Sequence, residues 1–277
     1  MDNGLESKVG TGGAGMARED VLSAAVERAL SILEVIGERS AGMTNSEISR
    51  KVEIPKSSAS YILRTLESCG YLKRDHEGKY RLGLRVLALG RGVQTGIDLR
   101  EEAMSEIHSL VKRTGLTAHL AVMDRAEVVY VEKVESPGFI KMDTWVGRRM
   151  QVNSTAVGKA LAAYMAEPDV DAILKERGLK KRTPKTITTQ TRFLHELKRV
   201  REHGYAIDDE ENSLGARCLA APIFDAAGRV QAAIGVSGTT SDVNRASISR
   251  IAATVKDAAM KISRHLGYRA AQAASRH

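Results

Sequence analysis

The stretch Thr44–Leu82, TNSEISRKVEIPKSSASYILRTLESCGYLKRDHEGKYRL, decides the reading of the N-terminal part of the chain. Thr44 and Glu47 have the spacing of a capping box, and Ile48 and Val52 share one face, so a short helix begins at Thr44. Pro55 is expected to end it. Proline also suits the start of a second helix, from about Lys56 to Cys69, with Ile62, Leu63 and Leu66 turned inward. That helix keeps Lys56, Ser57, Ser58, Ser60, Tyr61 and Arg64 on its other side. Leu72–Arg74 and Lys79–Leu82 then flank Asp75, His76, Glu77 and Gly78, a hairpin composition. The pattern describes a winged helix-turn-helix, whose second helix enters the DNA major groove by its N-terminal residues. The expected DNA contacts are Thr44, Lys56, Ser57, Ser58, Ser60, Tyr61 and Arg64 on the helices. On the basic wing, Arg74, Lys79 and Arg81 are expected at the phosphate backbone, with Lys73 and His76 nearby.

Composition agrees with a nucleic-acid partner. The chain has 277 residues and a net charge of +8, 43% of it is hydrophobic, and its pI is near 9.5, values of a soluble protein of roughly two domains with a basic excess. From Leu22 to Thr95, twelve Lys and Arg stand against eight Asp and Glu, an excess of +4. The two cysteines, Cys69 and Cys218, lie far apart without metal-ligand spacing, so no cofactor or metal is expected and the natural setting is a reducing cytoplasm. No run of eighteen apolar residues and no signal-peptide pattern occurs, which argues against a membrane partner.

Residues 1–20 are glycine-rich and read as a disordered leader, with Met16 as an alternative start to Met1. From Leu22 to Glu38, Val26, Ala29, Leu30, Leu33 and Ile36 form a helical stripe expected to pack behind the reader, making residues 21–83 the DNA-binding domain. A linker helix over 84–97 contains Gly90, Gly92 and Gly96, each costing about 1 kcal/mol relative to alanine, and is expected to end or bend there. A second domain, 98–266, opens with a helix capped by Asp98 and ending near Gly115. Strands follow at 116–123 and 127–134, helices near 156–165, 170–176 and 192–203, strands at 205–208, 218–224 and 230–237, and a last helix over 243–266. A basic tail, 267–277, closes the chain. This order indicates an antiparallel or mixed sheet and argues against a parallel dinucleotide fold.

Two segments of that domain suggest a ligand site. STAVGKALAAYM, 154–165, places small residues at a helix start, where free amides could receive a carboxylate or where close packing alone could require them. Gly158-Lys159 lacks the rest of a phosphate-loop pattern. GYAIDDEENSLGARCLAAPIFDAAGRVQAAIGVSG, 204–238, sets Asp208, Asp209, Glu210 and Glu211 ahead of Cys218, with Ser237 closing a later strand. Four adjacent acids usually make a solvated loop. Cys218 has no histidine tied to it by a motif, and His108, His119 and His195 read as core or surface residues.

Together the winged module at 22–82, VNSTAVGKAL at 152–161 and the 204–238 segment resemble the IclR family of bacterial transcriptional regulators, over about 22–266. The resemblance implies an α+β protein with a winged helix-turn-helix, a linker helix and a GAF-like effector domain. It further implies a dimer, often paired into a tetramer, that holds a small organic acid; the two recognition helices of a dimer are expected to read half-sites of a near-palindromic double-stranded DNA operator. Carried onto matching positions, the effector residues are Ala156, Val157, Asp208, Cys218 and Ser237. Gly235 stands where many relatives have a serine, and Val152-Asn153 where they often have Leu-His. A lost hydroxyl removes about 1.5–3 kcal/mol of bonding to a carboxylate, so the ligand could differ. The rival readings are an enzyme acting on a small acid through Asp208 and Cys218, and a DNA-binding scaffold without a ligand.

Overall fold

The computed structural model describes residues 23–39, 41–94, 98–138 and 141–269, with only the backbone for 90–94 and 98. The expected leader, the position of Gly96 and the tail beyond residue 269 lie outside the described residues. The chain divides between Thr95 and Gly96 into two compact units.

The first unit runs α1 (Ala24–Gly37), α2 (Asn45–Lys51), α3 (Lys56–Ser68), β1 (Leu72–Arg74), β2 (Tyr80–Leu82) and α4 (Leu84–Gln94). The capping box is present: Glu47 N donates to Thr44 Oγ1, while Thr44 N and Oγ1 donate to the Glu47 carboxylate at 2.8 Å. Pro55 is not what ends α2. The helix stops at Lys51, and Glu53 takes a left-handed φ of 56°, which turns the chain before Pro55 caps α3. The wing pairs Leu72 with Leu82 and Arg74 with Tyr80, and Met43 adds a bridge to Tyr80 that the hairpin pattern alone does not reveal.

Ile32, Ile36, Met43, Ile48, Ala59, Leu63, Leu72 and Tyr80 form this unit's core. The stripe expected on α1 is therefore misplaced in its first half. Val26 and Leu30 are 57% and 54% exposed, and the buried residues are Ile32, six positions after Val26, and the expected Ile36. α4 continues through Gly90 and Gly92 to Gln94 rather than ending at them, and it leaves Leu84, Leu87 and Leu89 exposed.

The second unit contains α5 (Asp98–Thr114), β3 (Thr117–Asp124), β4 (Glu127–Val134), β5 (Arg149–Met150), α6 (Ala156–Ala162), α7 (Glu167–Arg177), α8 (Gln190–His203), β6 (Ala206–Asp209), β7 (Ala216–Phe224), β8 (Val230–Thr239) and α9 (Arg245–His265). All pairs in its six-stranded sheet are antiparallel, in the order β5-β4-β3-β8-β7-β6. The alternation of side chains gives the sheet two faces. Ala118, Leu120, Leu219, Ile234 and Val236 pack against α5 and α9. Ala121, Tyr130, Ala206, Ala220 and Ala233 pack against α6 and α8. The small residues on the second face let α6 approach β6, β7 and β8.

Candidate functional site

In the first unit, α3 turns Ala59 and Leu63 into the core and leaves Lys56, Ser57, Tyr61 and Arg64 exposed, with Ser58 and Ser60 half-buried. Ser57, Tyr61 and Arg64 follow i, i+4, i+7 and so form one outward stripe. Thr44 is different, because its hydroxyl is committed to the α2 cap. The wing's cations are also engaged. Lys79 Nζ lies 2.7 Å from Glu77, Arg81 Nε lies 3.3 Å from Asp75, and the Arg74 guanidinium sits over the Tyr80 ring. Asp75 also accepts from the amides of Glu77 and Lys79, and the Lys79 amide bond in particular holds its carboxyl below the ordinary range. These contacts fix the tip as a rigid turn. Lys73, exposed on β1, has no ion pair among the described residues.

In the second unit, register brings the 204–238 side chains to one place. Asp208 on β6 faces Cys218 on β7, which faces Ser237 on β8, which faces Thr117 on β3. One rung along, Gly235 pairs with both Ala220 and His119. Of these, His119, Asp208, Cys218, Gly235 and Ser237 line a cavity of about 460 Å³ with Ala156, Val157 and Asn212. The five effector positions carried over by resemblance, Ala156, Val157, Asp208, Cys218 and Ser237, are on its wall, and so is Gly235, where many relatives have a serine.

Each wall has a physical cause. Thr155 caps α6 through Gly158 N, and Gly158 is required there, since a Cβ would lie 2.5 Å from the Val152 carbonyl. As first-turn amides, those of Ala156 and Val157 have no intrahelical acceptor. The acids read as a solvated loop separate by burial. Asp208 and Glu211 are 3% and 8% exposed, whereas Asp209 is exposed and pairs with Arg217. Asp208 Oδ1 accepts from the amides of Glu211 and Asn212 at 2.8 and 3.2 Å. Burial nevertheless outweighs those bonds and the nearby Lys159, and its carboxyl is pushed up to about 7.

Behind the wall, Lys159 is fully buried, with Nζ 2.5 Å from Glu211 and 3.3 Å from Glu196. Burial raises the Glu211 pKa against the pull of Lys159. Glu196 is lowered despite burial, because Arg199 adds a bidentate contact to that of Lys159. Cys218, within hydrogen-bonding reach of Ser237 and Asp208, is raised by burial and then by the Asp208 charge, so it remains a neutral thiol and a weak nucleophile.

The far wall was not legible as a site. His119 is not a plain core residue: Nε2 lies 2.7 Å from Thr144 Oγ1, and the ring is 4.7 Å from that of Tyr130. Burial, then Lys133, lowers its pKa to about 3, so the ring stays neutral. Arg148 and Arg182 also reach the cavity. His108 and His195 are exposed, as read. Strand parity could have flagged His119, which is in phase with Thr117 on β3, but only with the β3–β8 register known. Gly235→Ser would put a Cβ 2.6 Å from the Leu219 carbonyl and 2.9 Å from Ala220 Cβ. It is expected to destabilise this unit by about 1–3 kcal/mol through forced separation of β7 and β8, read as a lower thermal midpoint.

A winged helix-turn-helix together with a cavity-bearing sheet domain defines a ligand-responsive transcription regulator. Family models agree: the model for the IclR helix-turn-helix domain matches residues 25–76, and that for the bacterial transcriptional regulator IclR C-terminal domain matches 92–264. The chain is 37% identical to the HTH-type transcriptional regulator XynR of Escherichia coli, over 88% of this chain and 97% of that protein. It is 35% identical to the E. coli regulator KdgR, over 88% and 92%. The crystal structure of Thermotoga maritima IclR superposes with a TM-score of 0.73 at 34% identity, covering 88% of this chain and 98% of that one. The chain belongs to the IclR family: it is a DNA-binding transcriptional regulator with a C-terminal ligand-binding domain, and the relatives named here are regulators rather than enzymes. Among the described residues, no helix is long and apolar enough to cross a membrane.

Proposed function

We propose that this regulator binds a near-palindromic operator as a dimer and is controlled by a small organic acid in the cavity of its second unit. The observation that carries the effector reading is the meeting of Asp208, Cys218 and Ser237 with the first-turn amides of Ala156 and Val157 in one cavity. A carboxylate at those amides meets the positive end of the α6 backbone, while the neutral thiol and hydroxyl supply further donors. The dimer reading is supported by the exposed apolar rows Val26 and Leu30 on α1 and Leu84 and Leu87 on α4, which a monomer would leave in water. Effector and operator affinities are then coupled reciprocally, so saturating operator shifts the effector Kd by the factor by which effector shifts operator binding.

On the DNA face, Ser57, Tyr61 and Arg64 read base edges and the wing contacts phosphates. In competition gel shifts, Arg64→Ala is expected to weaken binding and relax preference at particular base pairs, by about 1–3 kcal/mol at each. Lys79→Ala is expected to weaken all sequences alike and reduce the salt slope by about one. The reverse pattern would overturn this division of labour. A thermal-shift panel of small carboxylic acids tests the effector reading, and a panel with no stabilising member would leave the scaffold reading in its place.

A further inference from the structure

Three cations reach the cavity, and two of them are already matched. Lys141 Nζ lies 2.9 Å from Glu135, and Arg148 lies 3.1 Å from Asp143 while its guanidinium covers the Trp145 ring. Arg182, also on the wall, has no ion pair among the described residues. Its backbone is firmly placed. The amides of Arg182 and Thr183 both donate to Thr186 Oγ1, at 3.0 and 2.9 Å, and that hydroxyl donates to the Glu211 carbonyl at 2.6 Å. Thr183 Oγ1 donates to the Glu210 carbonyl at 2.8 Å, and Asn153 Nδ2 holds the carbonyls of Lys180 and Ile187. The segment bearing Arg182 is thus fastened to the same turn that carries Asp208 and Asn212.

The acceptors on that turn say what an occupant must present beside a charge. Asn212 Oδ1 is buried and has no hydrogen-bond partner, and Asp208 presents a carboxyl to the cavity. A buried acceptor left unpaired is costly, so an occupant that donates hydrogen bonds is favoured. Among the described residues, Tyr130 and His119 bring rings to the lining, and His119 is already bonded to Thr144.

We propose that Arg182 binds a second anionic group of the effector, so that the effector is a hydroxylated dicarboxylate whose hydroxyls donate to Asn212 and Asp208. This rests on the reading of the cavity as a small-acid receptor. An arginine fork matches a carboxylate in two bonds, which makes it a charge and shape filter on the wall beside the turn that carries Asp208 and Asn212.

Matched probes isolate the second charge: tartrate against threonate and galactarate against galactonate, each pair differing by one carboxylate in place of a hydroxymethyl. Calorimetric titration of the full chain is expected to show a diacid binding about tenfold tighter than its monoacid. Arg182→Gln, an exposed side chain whose segment is held by other groups, is expected to erase that preference, weakening the diacid about tenfold more than its monoacid. Monoacids binding as tightly as diacids in both pairs, or Arg182→Gln weakening both members alike, would overturn the assignment. So would silence of both diacids. The underlying small-acid reading fails separately, and only if the wider carboxylate panel is silent as well.

Discussion

Lys159→Met is expected to destabilise the second unit by about 3–5 kcal/mol, although methionine nearly fills the space that lysine leaves. The loss comes from charge rather than volume. Lys159 Nζ is wholly buried between Glu211 and Glu196, and Glu196 would keep Arg199 at 2.8 Å, so the group left without a cation is Glu211. Glu211 Oε2 already has no hydrogen-bond partner, and burial already raises its pKa. Without Lys159 it is driven further toward the protonated form, and its amide hold on Asp208 is disturbed. Trp145 is the chain's only tryptophan and lies in this unit, so denaturant titration followed by its fluorescence reports the relevant unfolding. The deficit should shrink as pH falls and Glu211 takes up a proton. Glu211→Gln added to Lys159→Met should recover part of the stability. A single variant with an unchanged midpoint at neutral pH would show that the buried pair is of no consequence to the fold.

What could be read in advance divides along local and non-local lines. The capping box at Thr44, the polar stripe of α3 and the wing are set by residues within a few positions of one another, and each is an element of the structure. The errors in that unit have the same local origin. Val26 and Leu30 satisfy helical periodicity as well as Ile32 does, and only the packing of α1 against the core separates them. Glu53 turns left-handed with a side chain that gives no signal for it. In the second unit, resemblance supplied Ala156, Val157, Asp208, Cys218 and Ser237, but periodicity alone could not bring them together. Their meeting depends on the register between β6, β7 and β8. Lys159 and Glu211 lie 52 residues apart, and the acid run looked solvated because Asp209 and Glu210 do face outward. Burial takes the two ends of that run, Asp208 and Glu211, and leaves its middle outward, which composition cannot show. Thr144, Arg148 and Arg182 come from irregular segments, where no periodicity marks the inward side.

Asp208→Asn should have the opposite sign to Lys159→Met and a different pH profile. The Asp208 carboxyl is raised from its ordinary 3.8 to about 7, chiefly by burial. Between those values the folded chain holds a proton that the unfolded chain has released, so unfolding stability falls as pH rises. Below the lower value both states are protonated, above the upper one both are ionised, and the slope vanishes. The span corresponds to a loss of about 4 kcal/mol between pH 4 and pH 7 from this one group. Glu211, also raised, adds to the decline, while Glu196, lowered, opposes it, so the total slope does not isolate Asp208. The difference between wild type and Asp208→Asn does, because asparagine keeps an Oδ1 for the Glu211 and Asn212 amides but carries no charge. The variant is expected to match wild type near pH 4.5 and to exceed it progressively up to about pH 7.5, by Trp145 fluorescence in denaturant. An anionic ligand beside Asp208 favours its protonated form further, so effector binding should take up a proton and weaken up to about tenfold per unit above pH 7 in wild type, but not in the variant. A stability difference that does not change with pH would mean that Asp208 is already ionised throughout, and the cavity would then repel a carboxylate at every physiological pH.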